Sequence, residues 1–275
     1  MKVERLVQEL NSIDPIVRYG KVYRNVGLLI ESKGPEVSIG EVCYIHTGTN
    51  PNHPILAEVV GFQNEHVLLM PYEQMNQIGP GSLVESLNRS LTVKASIGLV
   101  GKVLDGLGNP LDDSSLPSDY ISYETEQNPP NPLTRPPISE ILSTGVKAID
   151  TCMTVGRGQR LGIFAGSGVG KSTLLGMLAR NSDADINVFA LLGERGREVR
   201  EFIEQELGEE GLKKSVIVVA TSDQPALQRI RGAYTATAIS EYFRDQGYHV
   251  NLMMDSLTRI AMAQREVGLA SGEPP

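Results

Sequence analysis

Residues 160–173 read Arg-Leu-Gly-Ile-Phe-Ala-Gly-Ser-Gly-Val-Gly-Lys-Ser-Thr, and they carry more information about the fold than any other part of the chain. The short apolar run from Leu161 to Ala165 predicts a buried strand, and the apolar spacing from Leu174 to Ala179 predicts a helix. Between them lies a glycine-rich turn that ends in Gly-Lys-Ser. A strand, such a turn and a helix in this order are the pattern of a phosphate-binding loop.

Each residue type in this loop has a physical role. Glycines let successive backbone N–H groups point inward at phosphate oxygens, and the helix N-terminus adds partial positive charge. Lys171 is expected to reach the β- and γ-phosphates, and the Ser172 hydroxyl to complete a Mg²⁺ shell. Ala165 stands where the pattern usually has glycine. The alternative is a glycine-rich turn that binds nothing. The candidate nucleotide-binding residues are Ala165, Gly166, Ser167, Gly168, Val169, Gly170, Lys171, Ser172 and Thr173.

Downstream of Ile149 the pattern alternates between apolar runs and helical periodicity, which predicts an α/β fold with a parallel sheet covered on both faces. The phosphate site then lies at the carboxyl ends of the strands. The predicted strands are 160–165, 187–192, 215–220 and 249–254, and the predicted helices are 171–181, 197–207, 225–245 and 256–266.

The first third of the chain has a different pattern. Residues 19–90 contain about six short β-like runs separated by Gly, Pro and Asn turns, which predicts a small closed β-barrel. Residues 1–18 form an amphipathic segment that either packs on its own domain or docks on a partner. The predicted domains are therefore this segment, a barrel over 19–90 and a nucleotide-binding domain over 91–275.

Two further segments bear on whether the site hydrolyses nucleotide. Asp255 follows the apolar strand Val250–Met254, where a second Mg²⁺ contact belongs, although it could also cap the next helix. Glu194 follows Val188–Leu192 and is predicted to orient and polarise the attacking water, with an exposed helix cap as the alternative.

The charged residues after Glu194 are more ambiguous. Arg195 could neutralise phosphate charge or pair with an acid across a subunit boundary. The next charged side chains are expected to form a solvated helix face. They are Glu198, Arg200, Glu201, Glu204 and Glu206.

Composition narrows the function classes. The chain has 275 residues and a net charge of −8, which argues against a broad nucleic-acid-binding surface. Cys43 and Cys152 have no metal-binding spacing and are expected to be buried thiols of a cytosolic protein. The start of the chain has no apolar core of signal-peptide length, and no stretch of about 18 apolar residues occurs, so neither a cleaved signal nor a membrane span is expected.

Taken together, the motifs resemble those of the flagellum-specific and type III secretion ATPases, which are similar to the catalytic β subunit of rotary ATP synthases. The resemblance covers about residues 20–275. It rests on Ala165–Thr173, on Gly193-Glu-Arg-Gly-Arg-Glu-Val199, on Met254-Asp-Ser-Leu-Thr-Arg-Ile-Ala-Met-Ala-Gln-Arg-Glu266 with Gly272–Pro275, and on residues 101–110 and 131–140.

This resemblance implies a RecA-like core that follows the barrel in the chain, a homohexameric ring, and hydrolysis of Mg·ATP coupled to protein export. It assigns catalytic roles to Lys171, Glu194 and Arg195, metal contacts to Ser172 and Asp255, and places Arg259 near the phosphates. The implied partners are the stator and stalk proteins of the export apparatus and chaperone–substrate complexes, with no nucleic acid. The implied location is cytoplasmic, peripheral at the inner membrane through the export gate.

Members of this family extend further, with more core strands, an intersubunit arginine finger, adenine-stacking residues and a helical C-terminal domain. The chain is therefore expected to be a fragment whose hydrolysis in isolation is in doubt. Of the two export systems the flagellar one is favoured, with the virulence-type system as the alternative. A non-catalytic nucleotide-binding subunit and an RNA translocase with the same core are the rival classes. Glu194 argues against the former, and the shortage of aromatic residues in the barrel argues against the latter.

Overall fold

The structure is a computed structural model that describes residues 17–48, 53–75, 78–112, 114–166 and 168–274. It divides into two compact units. Of the described residues, one unit contains those up to Ser90 together with 268–274, and the other contains those from Leu91 to Val267. The predicted amphipathic segment, apart from its last two residues, and Ser167 of the phosphate loop lie outside the described residues.

The first unit is a closed six-stranded barrel with the strand order β1-β2-β5-β4-β3-β6, and all its strand pairs are antiparallel. Side chains alternate between the interior and the outside. On β3, for example, Cys43 and Ile45 face a core that also holds Ala57, Val59 and Leu69. The strands are β1 Tyr19–Val26, β2 Leu29–Lys33, β3 Glu41–His46, β4 Ile55–Gln63, β5 His66–Pro71 and β6 Leu83–Ser90.

The second unit is built on a four-stranded parallel sheet with the order β12-β10-β11-β8. Every residue of β10 is buried, because both faces of the strand are covered. Val188 and Ala190 pack on one face, and Phe189 and Leu191 on the other. The strands are β8 Val103–Asp105, β10 Ile186–Leu192, β11 Ser215–Ala220 and β12 Val250–Asp255, with a separate antiparallel pair of β7 Thr92–Ala95 and β9 Ile121–Glu124.

The helices of this unit cover the two faces of the sheet. The long helix α5 packs on one face, and α2 packs on the other beside the π-helix that follows α3. The helices are α1 Lys147–Cys152, α2 Lys171–Asn181, α3 Gly196–Glu201, the π-helix Phe202–Leu207, α4 Gly208–Leu212, α5 Ala226–Asp245 and α6 Leu257–Ala270, with 3₁₀ turns at Ile97–Leu99 and Pro132–Thr134. The predicted fold class, a small barrel followed by an α/β unit with a parallel sheet, is confirmed.

Three local predictions are wrong. Residues 160–165 are not a strand, and Leu161 and Phe164 are 54% and 98% exposed, because no neighbouring strand pairs with them within the described ranges. The predicted helix 197–207 changes after Glu201 into the π-helix. Of the two thiols, Cys43 is buried but Cys152 is exposed.

Among the helices of the described residues, none combines the length and the apolar character needed to cross a bilayer.

Candidate functional site

A cleft of about 690 Å³ opens where the carboxyl ends of β10 and β12 meet the N-terminus of α2. This is the edge at which ligands bind in open parallel sheets. Its lining brings together residues from the phosphate loop and the start of α2, from the end of β10 and the turn after it, from α3 and the π-helix, and from the end of β12 and the start of α6. They are Ala165, Gly166, Gly168, Gly170, Lys171, Ser172, Thr173, Leu191, Glu194, Arg195, Glu198, Val199, Glu201, Phe202, Gln205, Glu206, Asp255, Ser256 and Arg259.

The phosphate loop has the backbone shape that its glycines predict. Gly168 and Gly170 have φ angles of +77° and +91°, in the left-handed region that side chains with a Cβ rarely adopt. Gly170 is the N-cap of α2, so the first free N–H groups of the helix open into the cleft. Val169 is 68% exposed and leaves this approach to the loop open.

Lys171 and Asp255 meet in this cleft, although they are far apart in the sequence. Lys171 is the first residue of α2 and donates from Nζ to Asp255 Oδ1. Asp255 is the last residue of β12, pairs in register with Leu191 of β10, and is only 7% exposed. The two side chains that the sequence assigns to phosphate and to metal are therefore adjacent.

Glu194 lies just past the end of β10, and backbone hydrogen bonds hold it there. The N–H of Gly193 donates to Ala220 O at 2.7 Å, and the Glu194 carbonyl accepts from Ser222 N–H at 3.0 Å. Burial is the largest cause that raises the pKa of the Glu194 carboxyl above its ordinary value. A side-chain hydrogen bond with Glu198 acts in the same direction.

That hydrogen bond identifies Glu198 as a site residue that the sequence missed. Glu198 was predicted to lie on a solvated helix face, but it lies in the first turn of α3, lines the cleft and forms a side-chain hydrogen bond with Glu194. The same bond lowers the pKa of the Glu198 carboxyl below its ordinary value. The available signal was its place four residues after Glu194, within the first turn of the predicted helix.

The two arginines of the site have different surroundings. Arg259, in the first turn of α6, packs along Gly193, where a built Cβ would come within 2.8 Å of the Arg259 Cβ. Its charge opposes the increase in the Glu194 pKa. Arg195 lines the cleft but is mostly exposed, and its Nη1 lies 3.7 Å from Glu198 Oε1.

The donor set suits Mg²⁺ bound together with a nucleotide. Among the described residues, no group of three or more His, Cys, Asp or Glu could hold a metal ion by itself. The cleft instead offers the Ser172 hydroxyl and the Asp255 carboxylate, which are oxygen donors of the kind that Mg²⁺ prefers when phosphate and water supply the rest of its shell. Bound there, the metal would neutralise charge on the transferred phosphoryl group.

The fold and the site define a P-loop nucleotide-binding protein that carries a β-barrel at its N-terminal end. Comparison with known families agrees with this class. The beta-barrel domain of the ATP synthase alpha/beta family matches residues 22–88, and the nucleotide-binding domain of the same family matches residues 145–275. The chain belongs to the ATP synthase alpha/beta family.

Among its relatives, the Flagellum-specific ATP synthase of Bacillus subtilis is 60% identical over the whole chain, which covers 63% of that protein. The Type 3 secretion system ATPase of Xanthomonas euvesicatoria is 48% identical over 98% of the chain and 61% of that protein. The chain thus spans about three fifths of the length of these relatives.

A solved structure agrees with the fold. The assembled ATPase EscN, in complex with its central stalk EscO from the type III secretion system of enteropathogenic E. coli, matches with a TM-score of 0.85 and 44% identity. The match covers 93% of this chain and 62% of that chain. The resemblance inferred from the motifs is confirmed.

Proposed function

We propose that this chain binds Mg·ATP and forms the catalytic site of an ATPase that energises protein export by the flagellar type III secretion apparatus. The observation that carries the proposal is the convergence of Lys171, Glu194 and Asp255 in one cleft at the carboxyl ends of β10 and β12. Three separate segments supply a phosphate-binding cation, a metal-binding carboxylate and a carboxylate for the attacking water. That combination is suited to phosphoryl transfer to water.

Each residue of the site has a separate role in hydrolysis. The N–H groups of the phosphate loop and Lys171 would hold the β- and γ-phosphates, and Ser172 and Asp255 would hold the metal. Glu194 accepts a hydrogen bond from the attacking water, polarises it and aligns it with the γ-phosphorus. The water oxygen forms a bond to the γ-phosphorus while the bond from this phosphorus to the βγ-bridging oxygen breaks, and the protons of the water pass to the products, ADP and inorganic phosphate. Arg195 and Arg259 supply positive charge at the rim of the site.

The export role rests on relatives. Identity is 60% to the flagellar protein of B. subtilis and 48% to the secretion ATPase of X. euvesicatoria, which favours the flagellar system over the virulence-type system. The EscN structure contains an assembled ATPase and a central stalk. By analogy we propose a homohexamer that binds a stalk protein, a stator and chaperone–substrate complexes at the cytoplasmic face of the inner membrane.

Replacing Glu194 separates binding from chemistry. In rings assembled from the protein, Glu194→Gln should keep Mg·ATP affinity within a few-fold and lower turnover by about a hundredfold or more, the scale for losing a positioned base. Glutamine is nearly isosteric but cannot polarise the water as a carboxylate does. Nucleotide affinity and steady-state ATPase activity measure the two effects.

Two further variants serve as controls. Glu204→Gln changes an exposed carboxylate that pairs with Arg200, and should hydrolyse ATP like the unmodified protein. Asp255→Asn should weaken the Mg²⁺ dependence as well as turnover. Near-normal hydrolysis by Glu194→Gln would overturn the catalytic assignment of Glu194.

The flagellar role has its own test. A B. subtilis strain that lacks its flagellum-specific ATP synthase should regain flagellin export when it produces this protein, and should not when it produces the Glu194→Gln variant. If both fail while the purified rings hydrolyse ATP, the flagellar assignment is wrong and the ATPase assignment stands.

A further inference from the structure

Helix α3 and the π-helix form one continuous body that starts at the candidate catalytic carboxylate and ends against the phosphate-loop helix. At the junction, Glu201 and Phe202 have helical φ/ψ angles of −57°/−42° and −61°/−46°, so the axis does not break there. The near end carries Glu198, whose carboxyl contacts that of Glu194. The far end packs on α2.

The π register determines which side chains reach α2. Phe202 and Leu207 are five residues apart, and they are 6% and 0% exposed. That spacing matches a π-helix, whereas an α-helix would bury residues 202 and 206 together. As a result Leu207 enters the core and Glu206 lies at its edge, beside the first turn of α2.

At that edge, α2 and the π-helix approach so closely that their backbones are in contact. A Cβ built on Gly176 would lie 2.5 Å from the carbonyl oxygen of Glu206 and 2.9 Å from its carbonyl carbon. Since both are backbone atoms, only a glycine permits this approach. Three residues earlier on the same face of α2, Thr173 Oγ1 donates to Glu206 Oε1 at 2.7 Å.

We propose that Thr173, Gly176 and Glu206 form a seat that fixes α3 relative to the phosphate loop, and that Glu206 is thereby a positioning residue for Glu194. The inference rests on the proposed function, since it assigns Glu206 to the same hydrolytic reaction. The connection runs from the seat along the π-helix to α3, and from Glu198 on α3 to the Glu194 carboxyl. The backbone of Glu194 is held separately, by Ser222, so the seat acts on its side chain.

Helix α2, which begins at the phosphate loop, is held by other contacts than the seat. An effect on the chemistry can therefore be distinguished from an effect on phosphate binding. Helix α2 is tied to the sheet by Leu175 and Ala179, which are buried, and by Asn187 Nδ2, which donates to Ala179 O at 2.9 Å. Loss of the seat should therefore move α3 and the π-helix rather than α2. The expected result is slower chemistry with nucleotide affinity retained.

Gly176→Ala tests the close approach and Glu206→Ala tests the hydrogen bond, both in assembled rings. Gly176→Ala should lower kcat about tenfold or more, because a displacement of about 1 Å at a reacting group can cost up to about a hundredfold. Glu206→Ala should lower kcat about three- to fivefold, the scale of one hydrogen bond. Both should keep Mg·ATP affinity within about threefold, since neither removes a phosphate contact.

Two variants separate positioning from a general loss of stability. Glu206→Gln keeps an acceptor oxygen and should restore most of the activity that Glu206→Ala loses. Glu204→Ala removes a neighbouring carboxylate whose partner is Arg200, at 2.7 Å on the exposed side, and should leave kcat unchanged. Amide hydrogen exchange over 202–207 gives a readout that needs no turnover, and should speed up in Gly176→Ala and Glu206→Ala but not in Glu204→Ala.

The outcomes are distinct. Unchanged kcat in both Gly176→Ala and Glu206→Ala would overturn the proposal. So would a loss of Mg·ATP affinity without a loss of kcat, and so would equal effects of Glu204→Ala and Glu206→Ala on kcat. If Gly176→Ala does not fold, the comparison of Glu206→Ala with Glu206→Gln decides. Absence of hydrolysis in the unmodified rings would count against the proposed function, and hydrogen exchange would then decide whether the seat holds α3.

Discussion

At the scale of single residues, the site depends on side chains with different electrostatic surroundings. Lys171 pairs with Asp255, whereas the Glu194 carboxyl is half-buried and hydrogen-bonded to a second carboxyl. Burial and the neighbouring acid raise the pKa of Glu194, and the Lys171 charge opposes this. The chemistry is therefore divided between a binding pair and a separate group for the attacking water.

Lys171→Ala should lower ATP affinity about a hundredfold or more while the chain stays folded. The change removes a charge-assisted contact with the β- and γ-phosphates, the strongest kind of hydrogen bond in such a site. Titration with a fluorescent ATP analogue measures the affinity, and circular dichroism checks the fold. Lys213→Ala is the matched control, because Lys213 pairs only with the exposed Glu210 among the ion pairs of the described residues. Equal affinity of Lys171→Ala and the unmodified chain would show that the loop assignment is wrong.

At the scale of elements, strands and helices were predicted correctly where a single hydrophobic periodicity dominated the sequence. β10 is a continuous apolar run, and the structure buries all of it. Helix α5 was predicted from the helical periodicity of residues 225–245, and four residues of its apolar stripe, Leu227, Ile230, Ala238 and Tyr242, are buried. Tyr234 of that stripe is 40% exposed, where the Arg231 guanidinium lies 5.0 Å from its ring centroid.

The errors have a common physical origin, since they concern properties that local sequence does not encode. An apolar run such as 160–165 becomes a strand only where another strand pairs with it. The change from α3 to the π-helix moves each later side chain around the axis, so no 3.6-residue pattern could place Glu206. Motif positions such as Lys171 and Asp255 were found because fixed chemistry at a strand end or helix start marks them in the sequence.

The position of Cys43 in the barrel strand β3 leads to a prediction about the reactivity of the two thiols. Cys43 is 0% exposed in the barrel core, and burial raises its pKa to about 12, whereas Cys152 is exposed at the end of α1. Since the thiolate is the reactive form, only Cys152 should react with a thiol reagent in the native protein at pH 8. Both should react in denaturant. Cys152→Ser should abolish the native reaction, and a second fast thiol in that variant would show that the barrel core is open.

At the scale of the whole molecule, the charge of the cleft does not match its ligand. Its carboxylates outnumber its cations, although nucleoside triphosphate is strongly anionic. The carboxylates are Glu194, Glu198, Glu201, Glu206 and Asp255, and the cations are Lys171, Arg195 and Arg259. Metal bound with the nucleotide supplies part of the missing positive charge. A cation from a neighbouring copy in the proposed ring would supply more, and an arginine contributed in this way accelerates phosphoryl transfer by several orders of magnitude in other nucleotidases.

The specific ATPase activity of the full-length protein should therefore rise steeply with its concentration as rings form, whereas the 275 residues alone should show little activity. At concentrations where the protein is monomeric, each site lacks the neighbour's cation and should turn over at least about a hundred times more slowly, in line with the effect of a supplied arginine. Steady-state rates per mole over a dilution series, with oligomeric state followed by light scattering, make the measurement. Lys171→Ala at each concentration gives the background. Because α2, β10 and β12 come from one copy, nucleotide affinity should depend on concentration far less than turnover does. Constant activity per mole down to the monomer would mean that one copy contains the whole catalytic site.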